Sequence, residues 1–180
     1  RVVQALVAAD ADTAGQNQSG DTALTLASDK GHLQVVQALV AAGTDTAIQN
    51  HHGDTALILA SANGHLQVVQ ALVAAGADTA VQNQHGSTAL ILVSDRGHLQ
   101  VVQELVAADA DTAGQNQSGD TALTLASDKG HLQVVPALVA AGTDTAIQDH
   151  HGDAALILAS AHAQQTRVPA IIQAGGAYPV

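Results

Sequence analysis

A glycine returns every 33 residues along this chain, at Gly20, Gly53, Gly86, Gly119 and Gly152. The phrase around it returns as well. From Gly53 the chain reads Gly-Asp-Thr-Ala-Leu-Ile-Leu-Ala-Ser-Ala-Asn-Gly-His-Leu-Gln-Val-Val, and at Gly86 it begins again. A fixed period of roughly 20 to 50 residues marks a stacked repeat architecture, in which one unit cannot bury its apolar face alone and must lean on its neighbours. Whole units run over 17–49, 50–82, 83–115 and 116–148, flanked by a truncated unit at 1–16 and a degraded one at 149–180. The 180 residues therefore read as a single domain. Arg1-Val-Val-Gln-Ala-Leu-Val enters in the middle of a unit, which suggests a segment of a longer chain.

Local signals inside one unit agree. Thr55 to Asn63 predicts a short helix, with Leu57, Ala60 and Ser61 on one face. Gly64 breaks it, because a left-handed backbone costs glycine little. His65 to Ala75 predicts a second helix with an apolar stripe of Leu66, Val69, Leu72 and Val73, closed by Gly76. Ala77 to His85 is polar and ends at Gly86, so it reads as an extended turn or hairpin.

A coarser period overlies the first. Val2 to Asn50 reappears as Val101 to Asp149 with three changes: Ala5 to Glu104, Gln37 to Pro136 and Asn50 to Asp149. With one Tyr and no Phe, Trp, Met or Cys, the core has to be Leu, Val, Ile and Ala. No apolar run is long enough to span a membrane. The absence of cysteine rules out disulfides and Cys-based zinc, and fits a cytoplasmic setting. The net charge is −11, and five Lys/Arg form no basic patch. That argues against nucleic acid and favours a neutral or basic protein surface as partner.

Gly-x-Thr-Ala-Leu-x-Leu-Ala, then Gly-His-Leu-Gln-Val-Val, then Gly-Ala-Asp, in a 33-residue frame, resembles the ankyrin repeat family over essentially the whole chain. The resemblance implies an all-α solenoid of stacked helix pairs with β-hairpin or turn fingers. Its implied function is protein–protein binding on a concave face, without enzymatic activity or cofactor. Open solenoid ends leave room for self-association.

Several residues depart from the family pattern. Ile58 and Thr25 stand where the family has a histidine, which predicts a weaker hydrogen-bond ladder between units. Asp10 and Asp109 replace the glycine that ends the second helix, where a left-handed backbone costs a residue with a Cβ roughly 1–2 kcal/mol, less for Asp. Pro136 lacks the donor for the carbonyl of Leu132, which costs about 3 kcal/mol or more inside a helix. Pro169 lies one period later, so the second helix is expected to begin late in both C-terminal units. The C-terminal third is expected to be the least stable.

Candidate residues divide by position. His32, His65, His98 and His131 begin the second helices in register. They are expected to be structural, bonding at the helix N-terminus and stacking on the next unit's copy. Ser28, Ser61, Ser94 and Ser127 occupy a helix position where the family has alanine, and are expected to be buried and bonded to backbone. Asn17-Gln18-Ser19 and Asn116-Gln117-Ser118 match the glycosylation sequon, which carries little weight in a mostly intracellular family. No catalytic constellation emerges: there is no cysteine nucleophile, Glu104 is the only Glu, and Gly-Asp-Thr-Ala is no phosphate cradle. A histidine-based metal site is the least favoured reading. Zinc needs nitrogens about 2.0–2.1 Å from one ion, while His52 and His85 sit on fingers roughly 10 Å apart.

By the family pattern, residues flanking the finger glycine and closing the first helix face the partner. In the first full unit these are Gln18, Ser19, Asp21, Asp29 and Lys30. The second gives His51, His52, Asp54, Ala62 and Asn63, and the third gives Gln84, His85, Ser87, Asp95 and Arg96. The fourth gives Gln117, Ser118, Asp120, Asp128 and Lys129, and the last His150, His151, Asp153, Ala161 and His162. This surface holds seven Asp against three Lys/Arg. Its interspersed histidines would tune partner binding between roughly pH 5 and 7. The outward face of the second helices (Gln67, Gln70, Ala71 and Ala74 in one unit) is uncharged and reads as solvated surface. An architectural spacer within a larger protein is the alternative to a binding module.

Overall fold

The computed structural model describes residues 2–161. Ten helices follow one another: α1 Val2–Ala8, α2 Ala23–Asp29, α3 Leu33–Ala41, α4 Ala56–Ala62, α5 Leu66–Ala74, α6 Ala89–Arg96, α7 Leu99–Ala107, α8 Ala122–Lys129, α9 Val134–Ala140 and α10 Ala155–Ala161. The even-numbered helices stack on one another in one layer and the odd-numbered ones in a second. The layers are joined where α2 meets α3, α4 meets α5, α6 meets α7 and α8 meets α9. A two-layer stack that grows by one pair per period follows from the 33-residue repeat.

Each short first helix is started by a threonine. Thr22, Thr55, Thr88 and Thr121 hold extended backbone, and their side chains accept the N–H three residues on. This satisfies a donor that the helix itself leaves unpaired. In α2 and α8 the exchange is reciprocal. Thr25 and Thr124 use their Oγ1 to accept the N–H of Thr22 and Thr121 at 2.8 Å. Ala154 has no hydroxyl to do the same for α10.

The core is one leucine row per layer: Leu24, Leu57, Leu90 and Leu123 from first helices, Leu39, Leu72, Leu105 and Leu138 from second helices, all essentially excluded from water. Each is worth roughly 1.5–3 kcal/mol of transfer free energy. No helix of the described residues is long and apolar enough to cross a membrane.

Four expectations need revision or refinement. The fingers are turns rather than paired strands: among the described residues the single bridge joins Gln148 and Ala154. The hydroxyls of Ser28, Ser61, Ser94 and Ser127 are buried, but they have no hydrogen-bond partner among the described residues, so the expected backbone bonds are not made. The histidines that open α3, α5 and α7 do not cap those helices with their side chains. And the hydrogen-bond ladder between units, expected to be weak, is dense but built from other residues, as described below.

Two departures behave as expected. Asp10 and Asp109 adopt φ of 55° and 57°, the left-handed geometry that Gly43, Gly76 and Gly142 take at the same position. Pro136 shifts the start of its helix: α9 begins at Val134, whereas α3, α5 and α7 begin two residues earlier in register, at Leu33, Leu66 and Leu99. Pro136 thus falls in the first turn, where a missing N–H breaks no helical bond. Leu132 is left outside the helix and exposed. Pro169 and the chain beyond Ala161 lie outside the described residues.

Candidate functional site

The fingers are ordered by one asparagine each. Asn50 accepts the N–H of His52 at 2.9 Å and of Asp54 at 3.0 Å through its Oδ1. Asn17, Asn83 and Asn116 make the same pair of bonds in their own fingers. Such short side chains mimic a backbone turn, which is why the tip closes over Gly53 and its counterparts. Asp149 takes the asparagine's place in the last finger and accepts from His151 and Asp153. The bond from the Asp153 N–H, supported by that from His151, holds the Asp149 carboxyl below its ordinary value.

Successive fingers are then tied together. The N–H groups of His51, Gln84, Gln117 and His150 donate to the carbonyls of Ser19, His52, His85 and Ser118, each at 2.9–3.0 Å. A ladder of carboxamides runs beside them. Gln16 donates to Gln49 O at 3.1 Å, Gln49 to Gln82 O at 3.0 Å, Gln82 to Gln115 O at 3.3 Å and Gln115 to Gln148 O at 3.0 Å. Asn50 and Asn83 add bonds of 2.9 Å to the carboxylates of Asp21 and Asp54 in the preceding unit. The sequence carried a signal for these rungs, since Gln and Asn recur in strict 33-residue register. The reading above assigned those positions no role.

The histidines at the starts of the second helices turn out to bridge backwards. The ring of His65 meets the Asp29 carbonyl at 3.0 Å, and that of His131 the Asp95 carbonyl at 2.7 Å. Each ring lies on the glycine of the preceding unit. A Cβ added at Gly31, Gly64 or Gly97 would stand 2.5–2.8 Å from the ring Nδ1 of His65, His98 or His131. These glycines therefore serve both a left-handed backbone and a seat for the next unit's imidazole. The expected stacking of one histidine on another is replaced by this ring-on-glycine contact.

The proposed contact residues can now be placed. Gln18, Ser19, Lys30, His51, His52, Asn63, Gln84, His85, Arg96, Gln117, Ser118, Lys129, His150, His151 and Ala161 are exposed. Asp21, Asp29, Asp54, Ala62, Asp95, Asp120, Asp128 and Asp153 are half-buried. Ser87 is 4% exposed, so its side chain presents almost nothing to a partner. His162 lies outside the described residues. Several have internal duties as well. Asp29, Asp95 and Asp128 each pair with the next cation, Lys30 at 2.7 Å, Arg96 at 3.8 Å and Lys129 at 3.2 Å. The hydrogen bond and charge of the neighbouring aspartate raise the pKa of Lys30 and Lys129 above the ordinary lysine value. Asn63 donates to Asp29 at 3.1 Å, Gln84 to the His51 carbonyl at 2.7 Å, and Gln117 to the Gln84 carbonyl at 2.9 Å. The edges of the His51 and His150 rings rest on Gly20 and Gly119. Among the described residues no three His, Asp or Glu side chains gather closely enough to hold a metal ion.

A stack of helix pairs with turn fingers bonded one to the next can be set against known families. The family model for ankyrin repeats matches it three times, over residues 1–83, 61–149 and 90–177. The chain belongs to the ankyrin-repeat family. Ankyrin repeats are generally protein–protein interaction modules rather than enzymes. A comparison with curated proteins finds no match.

Proposed function

We propose that this ankyrin array is a non-enzymatic binding module that holds the neutral or basic surface of another protein against its finger tips and the ends of its first helices. One contrast supports the reading. Where buried positions change, they exchange compact, uncharged side chains (Thr25 and Thr124 against Ile58 and Ile91, or Thr44 and Thr143 against Ala77 and Ala110). The exposed tips instead exchange neutral residues for titratable rings: Ser19, His52, His85, Ser118 and His151 occupy one register position, and Gln18, His51, Gln84, Gln117 and His150 the one before it. Packing between units constrains size and polarity. Contact with a partner whose surface is not periodic calls for a change of chemistry from unit to unit. The net charge of −11 disfavours phosphate-rich partners and favours basic ones. The cysteine-free composition is consistent with a cytoplasmic setting.

The test combines His52→Ala, Asp54→Asn and Asp95→Ala. Asparagine at 54 removes the charge yet keeps an oxygen for the Asn83 amide, so the stack is spared. Circular dichroism should be unchanged, and a protein recovered with the wild-type chain should be lost from the triple variant but kept by Gln67→Ala/Gln70→Ala. Equal recovery by both variants would sink the assignment of this face. A spacer reading gains support from Asp21 and Asp54, which are occupied by Asn50 and Asn83 of the following units. It predicts no specific partner, and a parent protein nearly indifferent to deletion of residues 50–82.

A further inference from the structure

The array carries one pair of fingers twice. The tips read Gln18-Ser19, His51-His52, Gln84-His85, Gln117-Ser118 and His150-His151 in order, so the first two recur as the last two and the third stands alone. The backbone repeats with them. The His51 N–H meets the Ser19 carbonyl at 2.9 Å, and the His150 N–H meets the Ser118 carbonyl at 3.0 Å. A Cβ added at Gly20 would stand 2.7 Å from the His51 ring, and one at Gly119 would stand 2.6 Å from the His150 ring. Asn17 and Asn116 hold the N–H groups of their own tips at 2.8–2.9 Å. The exposure of these tips does not come from the ends of the stack. Ser118 and His52 each have a bonded finger on both sides, and they are exposed like Ser19 and His151. Of the three changes between the duplicated blocks, Glu104 and Pro136 lie in the second helices α7 and α9. Only the change from Asn50 to Asp149 falls in a finger. Asp149 has no amide to give, so Asp120 lacks the bond that Asn50 makes to Asp21 at 2.9 Å, and accepts from Asn116 of its own finger at 3.3 Å.

We infer that the array is bivalent: it holds two copies of one short basic segment of a partner, one on the first two fingers and one on the fourth and fifth. This rests on the binding reading above. Two surfaces with the same side chains on the same backbone offer a ligand the same contacts, so a segment that docks on one copy docks on the other. The copies lie three units apart, roughly 30 Å at the spacing of packed helices. That is the reach of about nine extended residues. A segment of about seven residues therefore fills one copy and leaves the other open. Asp21 and Asp54 in one copy, and Asp120 and Asp153 in the other, favour a basic segment. Asp149 adds a negative charge to the second copy alone, worth at most about fivefold in Kd for an exposed ion pair. A partner that carries the segment twice on a long enough linker gains avidity without any new contact.

Panning a displayed library of random peptides of about that length on the full chain supplies the probe. The enriched peptide, expected to be basic, is then synthesised and titrated by calorimetry. The wild-type chain should bind two peptides. Ser19→Lys/His52→Lys and Ser118→Lys/His151→Lys should bind one each, with the former keeping the tighter site, and the chain with all four changes should bind none. These side chains are exposed and the main-chain bonds of the tips do not depend on them, so circular dichroism should be unchanged. One peptide per wild-type chain overturns bivalency and leaves the binding reading intact; its loss in His85→Lys alone would place recognition on the unique third finger. Two peptides that the four changes fail to dislodge also overturn it, and an acidic enriched peptide overturns the basic segment. If no peptide is enriched, the binding reading fails and this inference fails with it.

Discussion

Each full unit buries a serine hydroxyl that finds no partner, and removing it should stabilise the array. Ser28, Ser61, Ser94 and Ser127 are at most 1% exposed, and their oxygens make no hydrogen bond among the described residues. Leaving a buried hydroxyl unpaired costs roughly 1–3 kcal/mol. Alanine removes that oxygen without removing the Cβ, so the neighbouring Leu and Val contacts persist. It also gains up to about 0.7 kcal/mol of helix propensity. Against this stands the small void left by one oxygen atom, so Ser61→Ala should gain roughly 1–2 kcal/mol in net stability. Ser28 and Ser127 lie three units apart, and their effects should add within about 0.5 kcal/mol in the double variant. Urea denaturation followed by circular dichroism measures this, provided that the midpoint moves and the slope does not. A loss of stability in Ser61→Ala and Ser94→Ala alike would mean that the hydroxyls do have partners, and the reasoning would fail.

Two further outcomes follow from single positions. Asp109→Gly should stabilise by about 1 kcal/mol, because it relieves a left-handed Cβ and removes a negative charge from a helix C-terminus; the equivalent Gly43 has open space around it, so no packing is at stake, and the urea midpoint reads the gain. Asp149 should add an acid-sensitive contribution that Asp149→Asn lacks: its folded-state pKa lies below the ordinary 3.8, so the stabilisation is complete above that value and is lost as pH falls through the lower folded value. Acid titrations of the two chains that superimpose below pH 4 would refute this.

The fold was legible because its causes are local and repeated. Thr55 before Ala-Leu-Ile-Leu, the glycine stops at Gly64 and Gly76, and the stripe of Leu66, Val69 and Leu72 each act within one unit, and the four full units repeat the message with Asp109 replacing one of the stops. What escaped the sequence reading acts between units. That Gln49 reaches Gln82, or that His65 reaches back to Asp29, depends on how far apart two stacked units stand, which a linear pattern does not state. The serines escaped for a related reason. A helical serine commonly bonds to the carbonyl one turn back, and whether it does so depends on the side-chain rotamer permitted by the neighbouring helix. Thr25 shows the converse. It lacks an imidazole, yet its hydroxyl completes a reciprocal cap that Ile58 cannot form. The proposed contact surface was legible only as a set of positions. Their exposure bears on what they can touch, while the identity of what they touch is a property of another molecule.

At one register the finger tips combine a fixed backbone with histidine side chains that make no bond to the stack. At the register of Ser19, His52, His85 and Ser118, the backbone N–H is held by the finger's own asparagine, and the carbonyl is taken by the next finger. The imidazoles of His52 and His85 make no hydrogen bond of their own among the described residues, and both residues are exposed. Ordering a loop on binding costs free energy that a pre-organised site avoids. A rail whose main chain is already bonded on both sides would lose little further backbone entropy when a partner docks. Most of the remaining cost would fall on side chains with few rotatable bonds, such as Ser and His. By contrast, Asp21 and Asp54 beside the rail already hold the amides of Asn50 and Asn83. A cationic group on a partner would have to share those carboxylates with the stack. On the proposed surface, charge would therefore favour approach and select against acidic partners, while shape and hydrogen bonding at the histidine and serine tips would set the fit.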